Sequence, residues 1–128
     1  MANVLVVDDQ PDLCTILVRL LGLMGHRAEG VLDGAAALAA VRTAPPDLVV
    51  LDVMMPGLSG IDVLRTMRND DRTRRVPVLM YTALADPDTE HEARSLGVRG
   101  YLVKSRSTFE ELEAVVAQTE ASDAQCDA

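Results

Sequence analysis

Apolar residues fall along this chain in two alternating rhythms. Unbroken runs at Val4–Val7, Leu48–Leu51 and Val76–Tyr81 read as strands buried on both faces, with a shorter one at Gly100–Val103 and a weaker one near Arg27–Val31. Between them the spacing turns helical. Pro11 opens a helix with Leu13, Ile16, Leu17, Leu20 and Met24 at helical intervals, and Asp33 caps an alanine-rich helix over Ala35–Val41 that Pro45 and Pro46 close. Ser59, with Asp62 three residues on, caps a third helix through Ile61, Val63, Leu64 and Met67. Asp86 and Pro87 begin a fourth that ends near Leu96 with Gly97 as its stop. Ser107 and Glu110 form a capping box for a last helix reaching about Thr119, and the polar stretch Glu120–Ala128 reads as a frayed tail. The Pro56–Gly57 pair marks a turn after the third strand.

Five strand–helix units in regular alternation predict an α/β fold: a (βα)5 doubly wound, open parallel five-stranded sheet with helices on both faces. In the flavodoxin-like order 2-1-3-4-5 the strand order reverses between strands 1 and 3, and ligands gather in the crevice beyond the carboxyl ends of the strands. Polar residues stand at four of those ends. Asp8 and Asp9 follow the first strand, Asp52 the third, Thr82 the fourth and Lys104 the fifth. One pocket would thus hold three carboxylates, a hydroxyl and an ammonium.

Three crowded carboxylates repel one another unless a cation neutralises them, and an all-oxygen donor set suits Mg2+. A carboxylate can also carry a covalent phosphoryl group, whose oxygens Lys104 would neutralise and Thr82 would meet with a hydrogen bond. Each residue has a plainer explanation: the aspartates as helix caps or turn formers, Thr82 as a partner for a local amide, Lys104 as a surface side chain. Capping, however, calls for neither a second acid after the first strand nor a lysine after the fifth. The set is better explained by chemistry.

Composition narrows the field. The 128 residues suit one domain, read as 1–119 plus the tail 120–128. Aromatics make up only 2 %, so the core must be aliphatic. A net charge of −8 argues against nucleic-acid binding, and Arg72, Arg74 and Arg75 read as a solvated loop beside Asp70 and Asp71. No apolar run approaches membrane-spanning length, and Cys14 and Cys126 make no disulfide framework. A cytoplasmic setting is expected.

At Val6-Val7-Asp8-Asp9, at Asp47 through Gly57, at Pro77 through Ala83 and at Gly100 through Lys104, the chain resembles the receiver domain of bacterial two-component response regulators. The resemblance implies a signalling phospho-acceptor, catalysing only its own phosphorylation and dephosphorylation. Asp52 would accept a phosphoryl group from a sensor histidine kinase or phosphotransfer protein, and the domain would then control a downstream target that the sequence does not name. It also implies that Asp9 and Asp52, with the Met54 backbone carbonyl, bind Mg2+, that Asp8 acts mainly through a metal-bound water, and that Thr82 and Tyr101 form a switch pair. In that pair the hydroxyl moves toward the phosphate and the ring turns inward. The positions two beyond Asp52 and Thr82, which resemble the family's rate-tuning positions, are Met54 and Leu84, neither able to orient a water.

One residue departs from the pattern: Ser105 follows Lys104 where the family often has a cis proline. A cis bond to a non-proline residue costs about 2.5–4 kcal/mol, so the junction is expected to be trans or strained.

Two other functions remain open. A Mg2+-dependent phosphatase of the haloacid-dehalogenase type usually carries two acids separated by one residue, which Asp8-Asp9-Gln10 lacks, and a receiver-like module without phosphorylation would not need all five polar residues. A dinucleotide site is excluded by the absence of Gly-x-Gly-x-x-Gly after the first strand. On the first helix, Cys14, Val18 and Leu21 form a second apolar stripe, either more core or a docking face for the kinase. A homodimer stays open as well.

Overall fold

The computed structural model describes residues 2–126, with side chains through residue 118. Its elements run β1 (Asn3–Val7), α1 (Pro11–Leu23), β2 (Arg27–Val31), α2 (Gly34–Thr43), β3 (Leu48–Leu51), α3 (Gly60–Arg68), β4 (Val78–Thr82), α4 (Pro87–Ser95), β5 (Gly100–Val103) and α5 (Phe109–Cys126). The strands form one sheet in the order β2-β1-β3-β4-β5, every pair parallel, as the alternation of elements predicts.

Each central strand divides its apolar run between two cores. Leu5, Val7, Val49, Leu51, Val78 and Met80 face α2, α3 and α4, where they meet Ala37, Val41, Val63, Leu64, Met67 and Ala93. Val4, Val6, Leu48, Val50, Leu79 and Tyr81 face α1 and α5, against Cys14, Leu17, Leu21, Leu112 and Val116. Side chains alternate across a strand, so a sheet covered on both faces requires an apolar residue at every position. That requirement is what produced the unbroken runs.

The helix starts follow their caps. Asp33 accepts from the Ala36 amide at 2.7 Å, Ser59 and Asp62 close a reciprocal capping box, and Asp86 accepts from Thr89 at 3.3 Å. Gly97 ends α4 with φ +79°, a conformation that favours glycine. The far end of α4 is held by Arg68 of α3. Its guanidinium donates to the carbonyls of Leu96 at 2.7 Å, Val76 at 2.8 Å, Arg74 at 3.1 Å and Gly97 at 3.5 Å. Arg65, one turn earlier, pairs with Glu92.

Among the boundaries that differ from the expected ones, three have a visible cause. β4 starts at Val78, because the Val76 amide turns back to the Thr73 carbonyl at 3.1 Å. Ser107 does not cap α5: its amide bonds the Val103 carbonyl at 2.9 Å in a turn, and Thr108 caps instead, accepting from Glu111 at 3.3 Å. α5 also runs past Thr119 to Cys126, through residues that include no Gly or Pro to stop it. Asp127 and Ala128 of the expected tail lie outside the described residues.

Both stripes of α1 reach the core: Leu17 of the first and Cys14 and Leu21 of the second are buried, with Leu13, Val18 and Met24 packed partly against them. Cys14 and Leu21 sit deeper than Leu13, Leu20 and Met24, which are half-buried, while Ile16 is 48 % exposed and Leu23 projects outward. Gly30 explains the choice. A Cβ there would stand 2.5 Å from the Cys14 sulfur and 3.3 Å from Val18, so the missing side chain on β2 is what admits this face of the helix. Cys14 and Leu21 therefore belong to the core rather than to a docking surface, and Val18 packs half-buried at its edge.

Gly60, at the first turn of α3, closes the fold around the third strand end. A Cβ at Gly60 would lie 2.1 Å from the Asp52 carbonyl oxygen and 2.9 Å from the Val53 Cα, both backbone atoms that cannot step aside. Gly60→Ala should destabilise the domain by about 1–3 kcal/mol, measured by urea unfolding, while Gly22→Ala, with nothing within 4 Å of the new methyl, should not.

Candidate functional site

Strand pairing brings the polar strand ends together. The Asp52 amide donates to the Val7 carbonyl at 3.0 Å, which sets Asp52 beside Asp8, and the Lys104 amide donates to the Thr82 carbonyl at 2.8 Å, which sets Lys104 beside Thr82. These are β1 against β3 and β4 against β5, continued one residue past the sheet. All five residues named from the sequence meet at this carboxyl edge.

Asp8, Asp52 and Thr82 are buried, at 2 %, 4 % and 0 % exposure. One ammonium serves the first two: Lys104 Nζ donates to Asp8 Oδ2 at 2.7 Å and to Asp52 Oδ2 at 3.3 Å. The remaining oxygens take local amides, Gln10 N–H on Asp8 Oδ1 at 2.9 Å and Met54 N–H on Asp52 Oδ1 at 3.2 Å. Asp9 is half-buried and has no hydrogen-bond partner among the described residues. One oxygen from each of Asp8, Asp9 and Asp52 falls within a 4.8 Å cluster.

An all-carboxylate cluster with one unpartnered member fits a hard divalent cation that also keeps waters, a class to which Mg2+ belongs. Sulfur and imidazole donors are absent from the cluster, which disfavours softer metals.

No cis peptide bond occurs among the described residues, so the Lys104–Ser105 junction is trans, and Lys104 still reaches both carboxylates. The reach of the lysine does not need the proline that the pattern would have supplied.

Two contacts were not legible beforehand. The Tyr81 ring lies under the ammonium, 5.8 Å from Nζ to the centroid, within range of a cation–π contact. Leu84 joins the two hydroxyl residues through its backbone: its N–H donates to Thr82 Oγ1 at 3.2 Å, and its carbonyl accepts from the Tyr101 hydroxyl at 2.8 Å. The Tyr101 ring is buried in this arrangement. Burial, reinforced by the charges of Glu90, Asp86 and Asp52, pushes its phenol above the usual range, so it remains a donor at neutral pH.

Burial alone would lower the Lys104 pKa. The hydrogen bonds and charges of Asp8 and Asp52 outweigh it and hold the ammonium above its ordinary range. A cation whose folded pKa is raised stabilises the fold fully below its unfolded pKa, and that contribution disappears as pH climbs through the folded one. Lys104→Met should therefore cost about 1–3 kcal/mol at neutral pH by leaving Asp8 and Asp52 unneutralised. In parallel unfolding titrations the gap between wild type and variant should stay constant from about pH 7 to 9 and shrink above about pH 10.5.

Comparison with known proteins agrees with this geometry. The family model for the response regulator receiver domain matches residues 4–117. Chemotaxis protein CheY of Pseudomonas aeruginosa is 43 % identical over 104 residues, covering 80 % of this chain and 83 % of that one. DNA-binding response regulator MtrA of Mycolicibacterium smegmatis is 47 % identical over 84 residues, 66 % of this chain but only 36 % of that protein. Among solved structures, chemotaxis protein CheY4 of Vibrio cholerae superposes with a TM-score of 0.84 at 30 % identity, covering 93 % of this chain and 98 % of the other. Among the described residues no helix is long and apolar enough to cross a membrane.

Proposed function

The chain belongs to the response regulator receiver domain family of two-component systems, and on that premise we propose that Asp52 accepts a phosphoryl group from the phosphohistidine of a sensor histidine kinase or phosphotransfer protein. Receiver domains are signalling modules rather than classical enzymes, so the chemistry is the domain's own modification. The observation that carries the reading is the shared ammonium: Lys104 spans Asp8 and Asp52 at 2.7 and 3.3 Å while Asp9 stands without a partner among the described residues. A capping or turn role would require none of this.

In the transfer, an Asp52 carboxylate oxygen attacks phosphorus. The O–P bond forms as the P–N bond to the imidazole breaks, and the electron pair stays on the ring nitrogen, which takes up a proton. Asp9, Asp52 and the Met54 carbonyl would hold Mg2+, with Asp8 acting through a bound water, and the ion would offset the negative charge that gathers on the phosphoryl oxygens. Lys104 is already within hydrogen-bond reach of Asp52 and supplies a second positive charge to those oxygens. The Thr82 hydroxyl donates to one of them. Because Thr82 and Tyr101 both bind Leu84, movement of the hydroxyl toward the phosphoryl group would draw on the loop that the Tyr101 ring packs beneath. That loop leads directly into α4, which supports Thr82 and Tyr101 as the switch pair.

Acetyl phosphate should label the domain only when Mg2+ is supplied, and Asp52→Asn should lose at least nine-tenths of the label in intact-protein mass spectrometry. Undiminished label in that variant would move the acceptor to another residue.

The lifetime of the modification follows from the mouth of the site. Hydrolysis needs a water held in line with phosphorus, and the neighbouring side chains are the exposed Met54 and the half-buried Leu84, neither of which can hydrogen-bond a water. The phosphorylated domain should decay slowly. Met54→Asn combined with Leu84→Glu should accelerate the loss of label several-fold, read by the same mass measurement over time.

A further inference from the structure

β2 is one of the two outer strands of the sheet, and its free edge is open. β2 pairs only with β1, through Arg27, Glu29 and Val31: the Arg27 amide donates to the Ala2 carbonyl at 2.9 Å and the Asp8 amide to the Val31 carbonyl at 3.2 Å. By the alternation of a parallel ladder, the N–H and C=O groups of Ala28 and Gly30 point outward, away from the sheet. Their side-chain positions, the two smallest on the strand, turn toward α1 and not along the edge.

The charges on this edge are unusual. Edges guarded against self-pairing carry charge, most often lysine. Here the same face of β2 carries Arg27 and Glu29, one of each sign, both exposed and neither with a partner among the described residues. Beside them a groove of about 750 Å³ lies between β2 and α2, floored by Leu5 and walled by Ala39, Ala40, Ala44 and Pro46. The alanines leave the helix too slender to cover the edge strand.

We propose that this edge pairs with the same edge of a second copy, antiparallel across a two-fold axis, to give a ten-stranded sheet. The charges select the register. With Ala28 facing its own counterpart, Arg27 of each chain stands directly opposite Glu29 of the other, giving two cross-strand ion pairs on the α2 side. The neighbouring register, which sets Ala28 against Gly30, places Glu29 against Glu29 and is disfavoured. In the selected register the aliphatic stems of Arg27 and Glu29 cover the open side of the groove, and the small residues of α2 let the two helices come close. The acceptor Asp52 lies at the end of β3, two strands inward, so both phosphorylation sites stay open in the pair.

The test is a set of charge reversals read by analytical ultracentrifugation. The full chain should sediment as a concentration-dependent dimer. Arg27→Glu and Glu29→Arg, each of which turns both ion pairs into repulsions, should each weaken the dimer about tenfold or more, and the double reversal should restore it. An equimolar mixture of the two single variants should form a heterodimer. Thermal unfolding of each variant at low concentration checks that these surface changes leave the fold intact. Hydrogen exchange adds an independent readout, since the Ala28 and Gly30 amides should gain protection as the dimer forms. A chain that stays monomeric at millimolar concentration would overturn the proposal. So would a dimer that ignores both single reversals, or one whose Ala28 and Gly30 amides stay unprotected, as would pairing with a strand of another protein only.

Discussion

Two carboxylates, Asp8 and Asp52, sit almost fully buried at the ends of adjacent strands, and one ammonium makes that arrangement tenable. Coulomb repulsion between neighbouring carboxylates grows as water is excluded, and burial also weakens the solvation that would offset it. Lys104 answers both problems from the far side of the sheet, which is why β5 must lie two strands from β3 with its end at the same level. The parallel register of β3, β4 and β5 is therefore a condition for placing the charges as well as a consequence of packing. Tyr81 beneath the ammonium and the amides of Gln10 and Met54 complete the neutralisation.

Much of this was legible in the sequence, because the strand runs are unbroken and a polar residue ends nearly every one. β3 and β5 lie where the pattern placed them, and Asp33, Ser59 and Asp86 cap the helices they were expected to cap. Local chemistry suffices at those points. The face of α1 was another matter. Eight apolar residues in thirteen leave two stripes of similar merit, and the deciding partner, Gly30, lies on a different element. Hydrophobic spacing reports that a helix is buried, not which neighbour buries it.

Leu84 shows a second limit. Its contribution is a backbone N–H and a backbone carbonyl, which any residue but proline could offer, so no side chain advertised it. The α5 start failed for a related reason: Ser107 and Thr108 are both acceptable caps, and the turn closing on Val103 chose between them. In each case a long-range or main-chain contact outweighed a local preference.

Arg68 has a mechanical meaning. Its guanidinium grips four carbonyls, from the loop after α3 and the turn after α4, and uses no carboxylate to do so. A joint made this way does not depend on the titration of a partner, and its single cation cannot be deprotonated at any ordinary pH. It pins the end of α4 that is remote from Asp52, while the other end begins at Asp86, two residues from Leu84. Any displacement of Leu84 would thus meet a helix held at its far end, a geometry that favours tilting about Leu96 over sliding along the axis.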